Sequence, residues 1–327
     1  MMSRNERTVR YGAALLAAAL VLAVPAMATF TEGENEAPGS APIAREIEVR
    51  TYRNIPYRAK FLVRTTDGGE VTYQVERQPK KGTVSVSGDT FTYTPMENKT
   101  GKDSFTYVAV DAEGRTSAPA EVRVTIRKAK SGVNYADTAD SSAAAAAQYL
   151  AEAGVFTGAQ LGGQYFFEPE RPVSRSEFLA LTLETAGRDA TEVEITGFCD
   201  DAAIPTWAKS YAAAALSDGI VQGTATGEGA AFRGNDPITF NEAASILDRV
   251  LSVNDVDLAV WYADRAAVPS WAAQAVGNME SVSVLQAGSF GSAGLNEGIT
   301  RADMACMLEA AAVLLEGEPD GFLDWLN

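Results

Sequence analysis

Two arginines occupy equivalent positions in the C-terminal half of this 327-residue chain, each directly after a helix-capping residue. Arg175 follows Ser174 and Arg301 follows Thr300, so both arginines would be the first residue of a helix. A helix N-terminus already carries partial positive charge, so a cation there needs a compensating partner. That partner is either a bound anion, which arginine can pair with bidentately, or a neighbouring acidic side chain. The residues alone leave both alternatives open.

Two tryptophans are the other side chains that could hold a ligand. Trp207 follows Ile204-Pro205-Thr206, and Trp271 follows Val268-Pro269-Ser270, so each stands at the entry of a predicted helix. An indole at such a position can offer its flat face to a sugar ring. The alternative is an apolar anchor between repeats, and physical reasoning from these residues alone favours that core position.

The residue types in the sequence give little support for a catalytic site or a metal site. The chain has no histidine, which removes the commonest general base and the commonest zinc ligand. A paired-carboxylate glycosidase needs two acids at a fixed separation, which sequence spacing does not show. Asp111 and Glu113 offer oxygen atoms to calcium, but acids in a hairpin are commonly turn formers. We expect no catalytic residue, no bound metal and no cofactor.

The elements that must position the arginines and tryptophans repeat three times beyond residue 131. Aromatic-x-Asp landmarks recur at intervals of 63 and 64 residues, and helix-entry motifs recur at intervals of 65 and 61. The first set is Tyr135-Ala136-Asp137, Phe198-Cys199-Asp200 and Tyr262-Ala263-Asp264, and the second is Val173 to Glu177, Ile238 to Glu242 and Ile299 to Asp303. Each copy is predicted to consist of a first helix, a glycine-containing loop and a second helix.

The helix-entry motifs predict how each second helix begins. A Ser or Thr N-cap with an acid three residues later forms a capping box, and apolar residues on either side form a hydrophobic staple. The caps are Ser174, Thr239 and Thr300, their acids are Glu177, Glu242 and Asp303, and the staples join Val173 to Phe178, Ile238 to Ala243 and Ile299 to Met304. Most of this motif is therefore interpreted as structural.

Residues 43–128 show a different pattern, in which apolar and polar residues alternate. Six segments alternate in this way, with Gly-containing turns between them. They lie at Glu46–Arg50, Val71–Val75, Thr83–Val86, Thr90–Tyr93, Ser104–Val108 and Glu121–Ile126. This number of short strands predicts a two-sheet β-sandwich.

Charge divides the chain near residue 130. Residues 29–130 carry a net charge of +2, whereas residues 131–327 carry −20. Neither part has the basic surface that nucleic acid requires.

The N-terminus is typical of a secretory signal. Arg4, Arg7 and Arg10 precede an apolar run over residues 11–24, and Ala28 completes a cleavage pattern. The alternative is a retained anchor, although the run is shorter than the roughly 20 residues that span a bilayer. We expect cleavage after Ala28 and no membrane association afterwards.

The two cysteines are too few for a disulfide framework. Cys199 and Cys306 could form one disulfide, but their apolar or small neighbours favour buried free thiols.

Residues 88–114 of the β region resemble the bacterial Ig-like and cadherin-like modules of surface proteins. The resemblance rests on Tyr93-Thr94-Pro95, Gly101-Lys102-Asp103-Ser104-Phe105 and Asp111-Ala112-Glu113-Gly114. It covers most of residues 43–127 and implies a spacer or display module.

The three helical copies resemble the S-layer homology repeat. The resemblance rests on aromatic-x-Asp, Trp-Ala, Gly219-Ile220-Val221-Gln222-Gly223 and Ile299-Thr300-Arg301-Ala302-Asp303. It implies an all-α, pseudo-threefold domain that binds secondary cell-wall polysaccharide, often pyruvylated, in grooves between repeats. By motif position it also implies carbohydrate contacts from Trp207, Trp271, Arg175, Arg301, Gly219, Gly223, Asp137, Asp200 and Asp264.

No single copy carries the whole motif. The first has Ser and Ala over residues 141–147 where Trp is expected, the second has Phe240 in place of Arg, and the third has Ser283 and Ala287 at the glycine positions. We predict that Trp from one copy and Arg from another combine in one site. The alternative function is a structural surface-layer component whose degenerate repeats mediate assembly with other surface-layer proteins.

The predicted organisation is multidomain, an all-β Ig-like sandwich followed by the all-α repeats. Its segments are a signal peptide (1–28), a linker (29–42), the β-sandwich (43–128), three repeats (133–190, 196–255 and 260–316) and a short tail (317–327).

Overall fold

The computed structural model describes residues 40–65, 69–261, 268–286 and 293–316. The predicted signal peptide, most of the linker, the landmark Tyr262-Ala263-Asp264, Ala287 and the tail lie outside these residues. No helix in the described ranges combines the length and the apolar character needed to cross a bilayer.

The β region contains every strand that the alternating pattern predicts. Its strands are β1 (Ile43–Ala44), β2 (Ile47–Tyr52), β3 (Tyr57–Lys60), β4 (Val63–Arg64), β5 (Val71–Arg77), β6 (Gly82–Ser87), β7 (Thr90–Pro95), β8 (Gly101–Asp111) and β9 (Ala120–Arg127). They form one sheet in the order β2-β9-β8-β5, a second in the order β3-β7-β6, and the short pair β1-β4. Only the β2–β9 pairing within the two larger sheets is parallel.

The inward face of this sandwich is aromatic. Phe91, Tyr93, Phe105 and Tyr107 are completely buried, and they come from strands of both sheets. Each of them follows a polar residue that points outward, as period-two alternation requires. The prediction of a two-sheet sandwich is confirmed.

The C-terminal region contains seven helices and two short hairpins in its described part. The helices are α1 (Ala144–Glu152), α2 (Arg175–Thr185), α3 (Lys209–Ser217), α4 (Phe240–Leu251), α5 (Leu258–Trp261), α6 (Ala273–Ser281) and α7 (Arg301–Glu316). The hairpins are β10 (Ala159–Leu161) with β11 (Gln164–Phe166), and β12 (Thr224–Thr226) with β13 (Gly229–Ala231).

The expectation of an all-α region is therefore wrong: the region is mixed. In the first two copies, the predicted glycine-containing loops fold back on themselves as antiparallel ribbons. Gly162 and Gly163 supply the positive φ angles of +58° and +82° at the tip of the first ribbon. Each strand has only three residues, which is too short for an alternating pattern to be recognised.

The helices pack in the same way in all three copies. Each first helix lies against the second helix of the preceding copy: α3 contacts α2, α6 contacts α4, and α1 contacts α7 across the length of the region. The three second helices α2, α4 and α7 also contact one another. The last copy thus closes onto the first.

A closed ring of backbone hydrogen bonds joins the three second-helix entries. Val173 N donates to Ile299 O at 3.1 Å, Ile299 N donates to Ile238 O at 2.9 Å, and Ile238 N donates to Val173 O at 3.0 Å. These three staple residues are at most 1% exposed, so their backbone groups need protein partners. The ring satisfies these backbone groups, and each copy donates one hydrogen bond in it and accepts one.

The predicted capping boxes are present. Glu177 N donates to Ser174 Oγ at 3.2 Å while Ser174 N donates to Glu177 Oε2 at 3.0 Å, and Thr239 with Glu242 forms the same pair. In the third copy, Thr300 N donates to Asp303 Oδ2 at 2.8 Å and Asp303 N to Thr300 Oγ1 at 3.2 Å. The structural interpretation of these residues is confirmed.

The prediction for the cysteines is half correct. Cys199 and Cys306 are both free, but both are exposed and not buried. Cys199 precedes a 3₁₀ turn at Asp201–Ala203, and its sulfur faces Thr226 Oγ1 of β12 at 3.5 Å. The small or apolar sequence neighbours of the two cysteines did not indicate that their side chains face the surface.

Candidate functional site

The two tryptophans are exposed, contrary to the core position that their sequence neighbours favoured. Trp207 is 52% exposed within a 3₁₀ turn at Thr206–Ala208 that contacts α2, and Trp271 is 59% exposed just before α6. Alanines, not indoles, make the close contact with the neighbouring helix, since Ala208, Ala212 and Ala272 are at most 1% exposed. Small side chains bring the helices close together and leave each ring on the surface.

The first copy carries a serine at the corresponding point. Trp207 and Trp271 each lie two residues before the first residue of α3 and α6, and Ser142 lies two residues before α1. The three positions are therefore equivalent in the fold. Only two of them offer an aromatic face.

Arg175 is held by acceptors from the following copy. Its Nη1 donates to Phe232 O at 3.1 Å and to Arg233 O at 3.0 Å, and its Nη2 donates to the carboxylate of Glu242. The side chain is 11% exposed. A neighbouring acid therefore compensates this cation, which is the second of the two alternatives that the sequence left open.

Arg301 is held in the same manner by the first copy. Its Nη1 donates to Phe167 O at 2.9 Å and to Glu168 Oε2 at 2.9 Å, and its guanidinium lies 5.0 Å from the centroid of the Phe156 ring. The side chain is 8% exposed, and this burial lowers the pKa of Arg301 below its usual value. Each arginine therefore forms hydrogen bonds that link its own copy to another copy.

Phe240 is the first residue of α4, at the position that Arg175 and Arg301 occupy in α2 and α7, and it lines a cavity. The cavity has a volume of about 340 Å³ and its walls include Leu285, Leu295 and Asp303. Ser142, the serine at the tryptophan position, lines the same cavity. Its described lining contains no arginine or lysine. The copy without Trp and the copy without Arg thus meet in one groove.

The closed ring allows the other two grooves to be assigned by equivalence. We call the cavity of Ser142, Phe240 and Asp303 groove C. The order of the copies around the ring predicts two further grooves: groove A, with Trp271, Arg175 and Glu242, and groove B, with Trp207, Arg301 and Glu177.

Observed contacts agree with this assignment. In groove A, Arg175 pairs with Glu242 of α4, and α4 packs against α6, the helix that Trp271 precedes. In groove B, the turn that holds Trp207 contacts α2, which carries Glu177. The assignment therefore predicts two grooves with both Trp and Arg, and one with neither.

Asp137 and Asp200, two of the predicted carbohydrate contacts, accept hydrogen bonds from backbone amides of their own copies. Asp137 accepts from Phe167 N at 2.9 Å and Glu168 N at 2.7 Å. Asp200 accepts from Phe232 N at 2.7 Å and from the next amide at 2.8 Å. The carbonyl groups of these same peptide segments accept hydrogen bonds from Arg301 and Arg175. Asp264, the third predicted residue, lies outside the described residues.

The two predicted glycine contacts have conformational roles. Gly219 has φ +71° directly after α3, and its counterparts Gly154 and Ser283 adopt φ +73° and +62°. Gly223 has φ +73°, and a Cβ atom there would lie 2.8 Å from Ala231 O. These turns fix the loops beneath the arginines, and nothing in their geometry requires a ligand.

Sequence reasoning missed one component of the grooves. Glu177, Glu242 and Asp303 were interpreted only as capping acids, yet Glu242 also pairs with Arg175 and Asp303 lines groove C. Glu177 pairs with Arg171 at 3.3 Å. Their common spacing from the motif arginine was the available signal, since each lies two residues after an N1 position.

Asp111 and Glu113, the candidate calcium ligands, are engaged by protein groups. Asp111 accepts from the backbone amides of Glu113 and Arg115 and pairs with the Arg115 side chain at 2.6 Å, and Glu113 pairs with the same guanidinium at 2.9 Å. Among the described residues no group of three or more acids or cysteines has the geometry of a metal site.

The chain matches two protein families. Residues 39–126 match the bacterial Ig domain, and residues 134–179 and 198–244 match the S-layer homology domain. The second match covers the first two copies and not the third. Both families are non-catalytic modules, and S-layer homology domains anchor proteins to cell walls by binding secondary wall polymers.

Similarity to solved structures is partial and low. The similar structures include the endo-fucoidan hydrolase MfFcnA4 of glycoside hydrolase family 107, at 19% identity and TM-score 0.24 over 36% of this chain and 17% of that one. The SrpA adhesin of Streptococcus sanguinis aligns at 19% identity and TM-score 0.23, covering 30% of this chain and 63% of the adhesin. Comparison with curated protein sequences gives no match.

Proposed function

We propose that residues 133–316 form three S-layer homology copies that hold an exported protein non-covalently at the bacterial cell surface. Their ligand is an anionic secondary cell-wall polysaccharide, and the Ig-like module is a spacer or display domain. The observation that carries the proposal is the exposure of Trp207 and Trp271, in the copies that would supply grooves A and B. Each groove would combine an exposed tryptophan with a motif arginine and a capping acid, all supplied by different copies.

Selectivity for an anion rests on the arginines. The C-terminal part has a net charge of −20, so its overall field repels a polyanion and attraction has to be local. The hydrogen bonds of Arg301 to described residues all come from its Nη1, so the edge formed by Nε and Nη2 is left for a ligand carboxylate. Trp207 supplies the apolar face for the adjoining sugar ring. A pyruvylated sugar has both features.

The described lining of groove C contains neither a motif arginine nor a tryptophan. Its described lining residues include Asp303 and Glu297 but no arginine or lysine, and Ser142 offers no stacking surface. A polyanion there would meet repulsion. The proposal is therefore that the third copy completes the ring and contributes Arg301 to groove B and Trp271 to groove A, while groove C binds no polymer.

The test is titration of the chain with polysaccharide released from walls of the producing bacterium. Trp207→Ala and Trp271→Ala should each lower affinity by about fivefold, corresponding to roughly 1 kcal/mol for one aromatic stacking contact. Leu161→Ala, at an apolar residue that is 66% exposed on a hairpin tip, is the matched control and should bind normally. Polymer stripped of pyruvate should lose affinity for all variants.

Assembly of degenerate repeats is the competing function. If walls stripped of polysaccharide retain the protein as well as intact walls do, the repeats contact other surface proteins and the anchoring proposal is refuted. If Trp207→Ala and Trp271→Ala titrate like Leu161→Ala, the groove assignment is refuted while anchoring itself stands.

A further inference from the structure

The β region is attached to the repeats by more than a connecting peptide. Tyr52, at the end of β2, is 5% exposed, and it belongs to the hydrophobic core of the helical region and not to that of the sandwich. Ile55 packs against the same core, and β2 contacts α1, the first helix of the first copy. The sandwich therefore contributes two apolar side chains to the core of the repeats.

The turn that carries these side chains is held by hydrogen bonds within the sandwich. Thr51 Oγ1 donates to Ile55 O at 2.7 Å, and Ile55 N donates to Tyr52 O at 3.0 Å. Asn54 has φ +65°, a left-handed conformation that asparagine tolerates, and its side-chain oxygen accepts from Asn98 N at 2.8 Å. The sandwich thus fixes the shape of the surface that the helices contact.

One carboxylate joins the sandwich to two copies at once. Glu316, in the last turn of α7, has a side chain that is 6% exposed and accepts from Arg50 Nη1 of β2 at 2.8 Å. Its second oxygen accepts from Tyr149 OH of α1 at 3.0 Å. Because the carboxylate is buried, removal of either donor leaves it desolvated and less well compensated.

The turn that carries Glu316 has no counterpart in the other two copies. The second helices α2 and α4 have 11 and 12 residues, whereas α7 has 16. All three begin at the same position of the motif, so residues 313–316 form about one additional helical turn. The contact with Arg50 is made by this addition.

The connecting peptide is also held. Lys130 N and Ser131 N donate to the carboxylate of Glu152, at the end of α1, at 2.6 and 3.0 Å. Gln148 Nε2 donates to Val133 O at 3.3 Å. The segment between the sandwich and the repeats therefore runs along α1.

The contact between α1 and α7, which we call the seam, closes the longest loop of the ring. Each first helix is hydrogen-bonded to the second helix of the preceding copy, through Tyr211 and Glu184, Asn278 and Asp248, and Tyr149 and Glu316. The first two pairs are 27 and 30 residues apart in sequence, whereas the third pair is 167 residues apart. Since closing a longer loop costs more conformational entropy, the seam gains most from an additional stabilising contact.

We propose that the Ig-like module is a brace for the ring, which holds the seam closed through Arg50, Tyr52 and Ile55. The proposal goes beyond the role of spacer or display domain, because it makes the module part of the folded anchoring unit. It does not depend on polymer binding, so its failure would leave the anchoring proposal intact.

The experiment is amide hydrogen exchange of the full chain, wild type and Arg50→Ala, under native conditions. Local opening of the seam exposes the amides of α1 and of residues 313–316, whereas α3 lies at the contact between the first and second copies and is the internal reference. We expect Arg50→Ala to accelerate exchange of the two seam segments by about fivefold and to leave α3 unchanged. Seam exchange equal to that of the wild type, or an equal acceleration in α3, would overturn the brace.

Three further variants separate the brace from general destabilisation. Arg50→Lys keeps the cation and should recover most of the protection, and Tyr149→Phe removes only the hydroxyl and should accelerate the same two segments. Arg123→Ala is the matched control on the neighbouring strand β9, because its acidic partners, Glu46, Glu48 and Glu121, all lie in the sandwich. It should leave the seam unchanged. Seam acceleration by Arg123→Ala as large as that by Arg50→Ala would also contradict the proposal.

Discussion

Gly219 and Gly223 form a matched pair that separates backbone strain from steric exclusion. Both have positive φ, +71° and +73°, in one short turn. A Cβ at Gly219 would have no atom within 4 Å, whereas one at Gly223 would lie 2.8 Å from Ala231 O and 2.9 Å from the Phe198 ring. Alanine substitutions at these two positions therefore share the backbone strain and differ in the steric overlap of the new Cβ atom.

The expected magnitudes follow from that difference. An alanine in the left-handed region costs about 1–2 kcal/mol, which is the whole expected loss for Gly219→Ala. Gly223→Ala adds overpacking against a backbone oxygen and a buried ring, about 1–3 kcal/mol more. We expect losses in unfolding free energy of about 1.5 and about 3.5 kcal/mol respectively.

Urea unfolding monitored by circular dichroism measures both values, with an unchanged m-value as the check that the same surface is exposed. Folded Gly219→Ala should also bind wall polymer normally, because we expect the glycine to shape the turn without contacting the polymer. Equal destabilisation by the two substitutions would refute the steric argument. Loss of polymer affinity by folded Gly219→Ala would restore the ligand role that family resemblance assigns to it.

Three further predictions concern the caps, the arginine ties and acid stability. Thr239→Ala should lower the unfolding free energy by about 1 kcal/mol, because α4 loses the acceptor for Glu242 N, and a cap-restoring Thr239→Ser should recover most of it. Arg301→Lys should lower the unfolding free energy by about 1–3 kcal/mol in the same urea assay. The reason is that an ammonium cannot reproduce the guanidinium, which stacks on Phe156 and donates to Phe167 O. Equal stability of the variant and the wild type would show that the guanidinium is not needed for stability. Hydrogen bonds from Lys209 and Thr196 lower the pKa of Asp201 from 3.8 to about 2, so its stabilising contribution is complete above about pH 4 and is lost as pH falls towards 2. The difference in melting temperature between wild type and Asp201→Asn should therefore shrink over that interval, and a constant difference would contradict the assignment.

Local sequence signals predicted the elements well. Alternation located the strands of the sandwich, and the Ser/Thr-x-x-acid motif located the starts of α2, α4 and α7 to the residue. Both signals are short-range, because a strand face repeats every two residues and a capping box closes within four. The hairpins β10–β11 and β12–β13 escaped prediction because three residues cannot display a period.

The grooves depended on long-range contacts that sequence does not carry. Arg175 meets Glu242, 67 residues away, and Arg301 meets Glu168, 133 residues away. The exposure of Trp207 depends on alanines that pack α3 against α2, which no local pattern reports. The prediction that Trp and Arg come from different copies was made from the incomplete motif of each copy, but only the ring of Val173, Ile238 and Ile299 indicates which copies meet.

Co-sedimentation with purified cell walls tests the central claim most directly. The full chain, the Trp207→Ala/Trp271→Ala double variant and the Leu161→Ala control are each mixed with walls, and the bound fraction is measured against free protein concentration. Anchoring through grooves A and B predicts that the control binds like the wild type and that the double variant loses about 25-fold in affinity, two contacts of roughly 1 kcal/mol each. A double variant that sediments with the walls as fully as the control does would contradict the account.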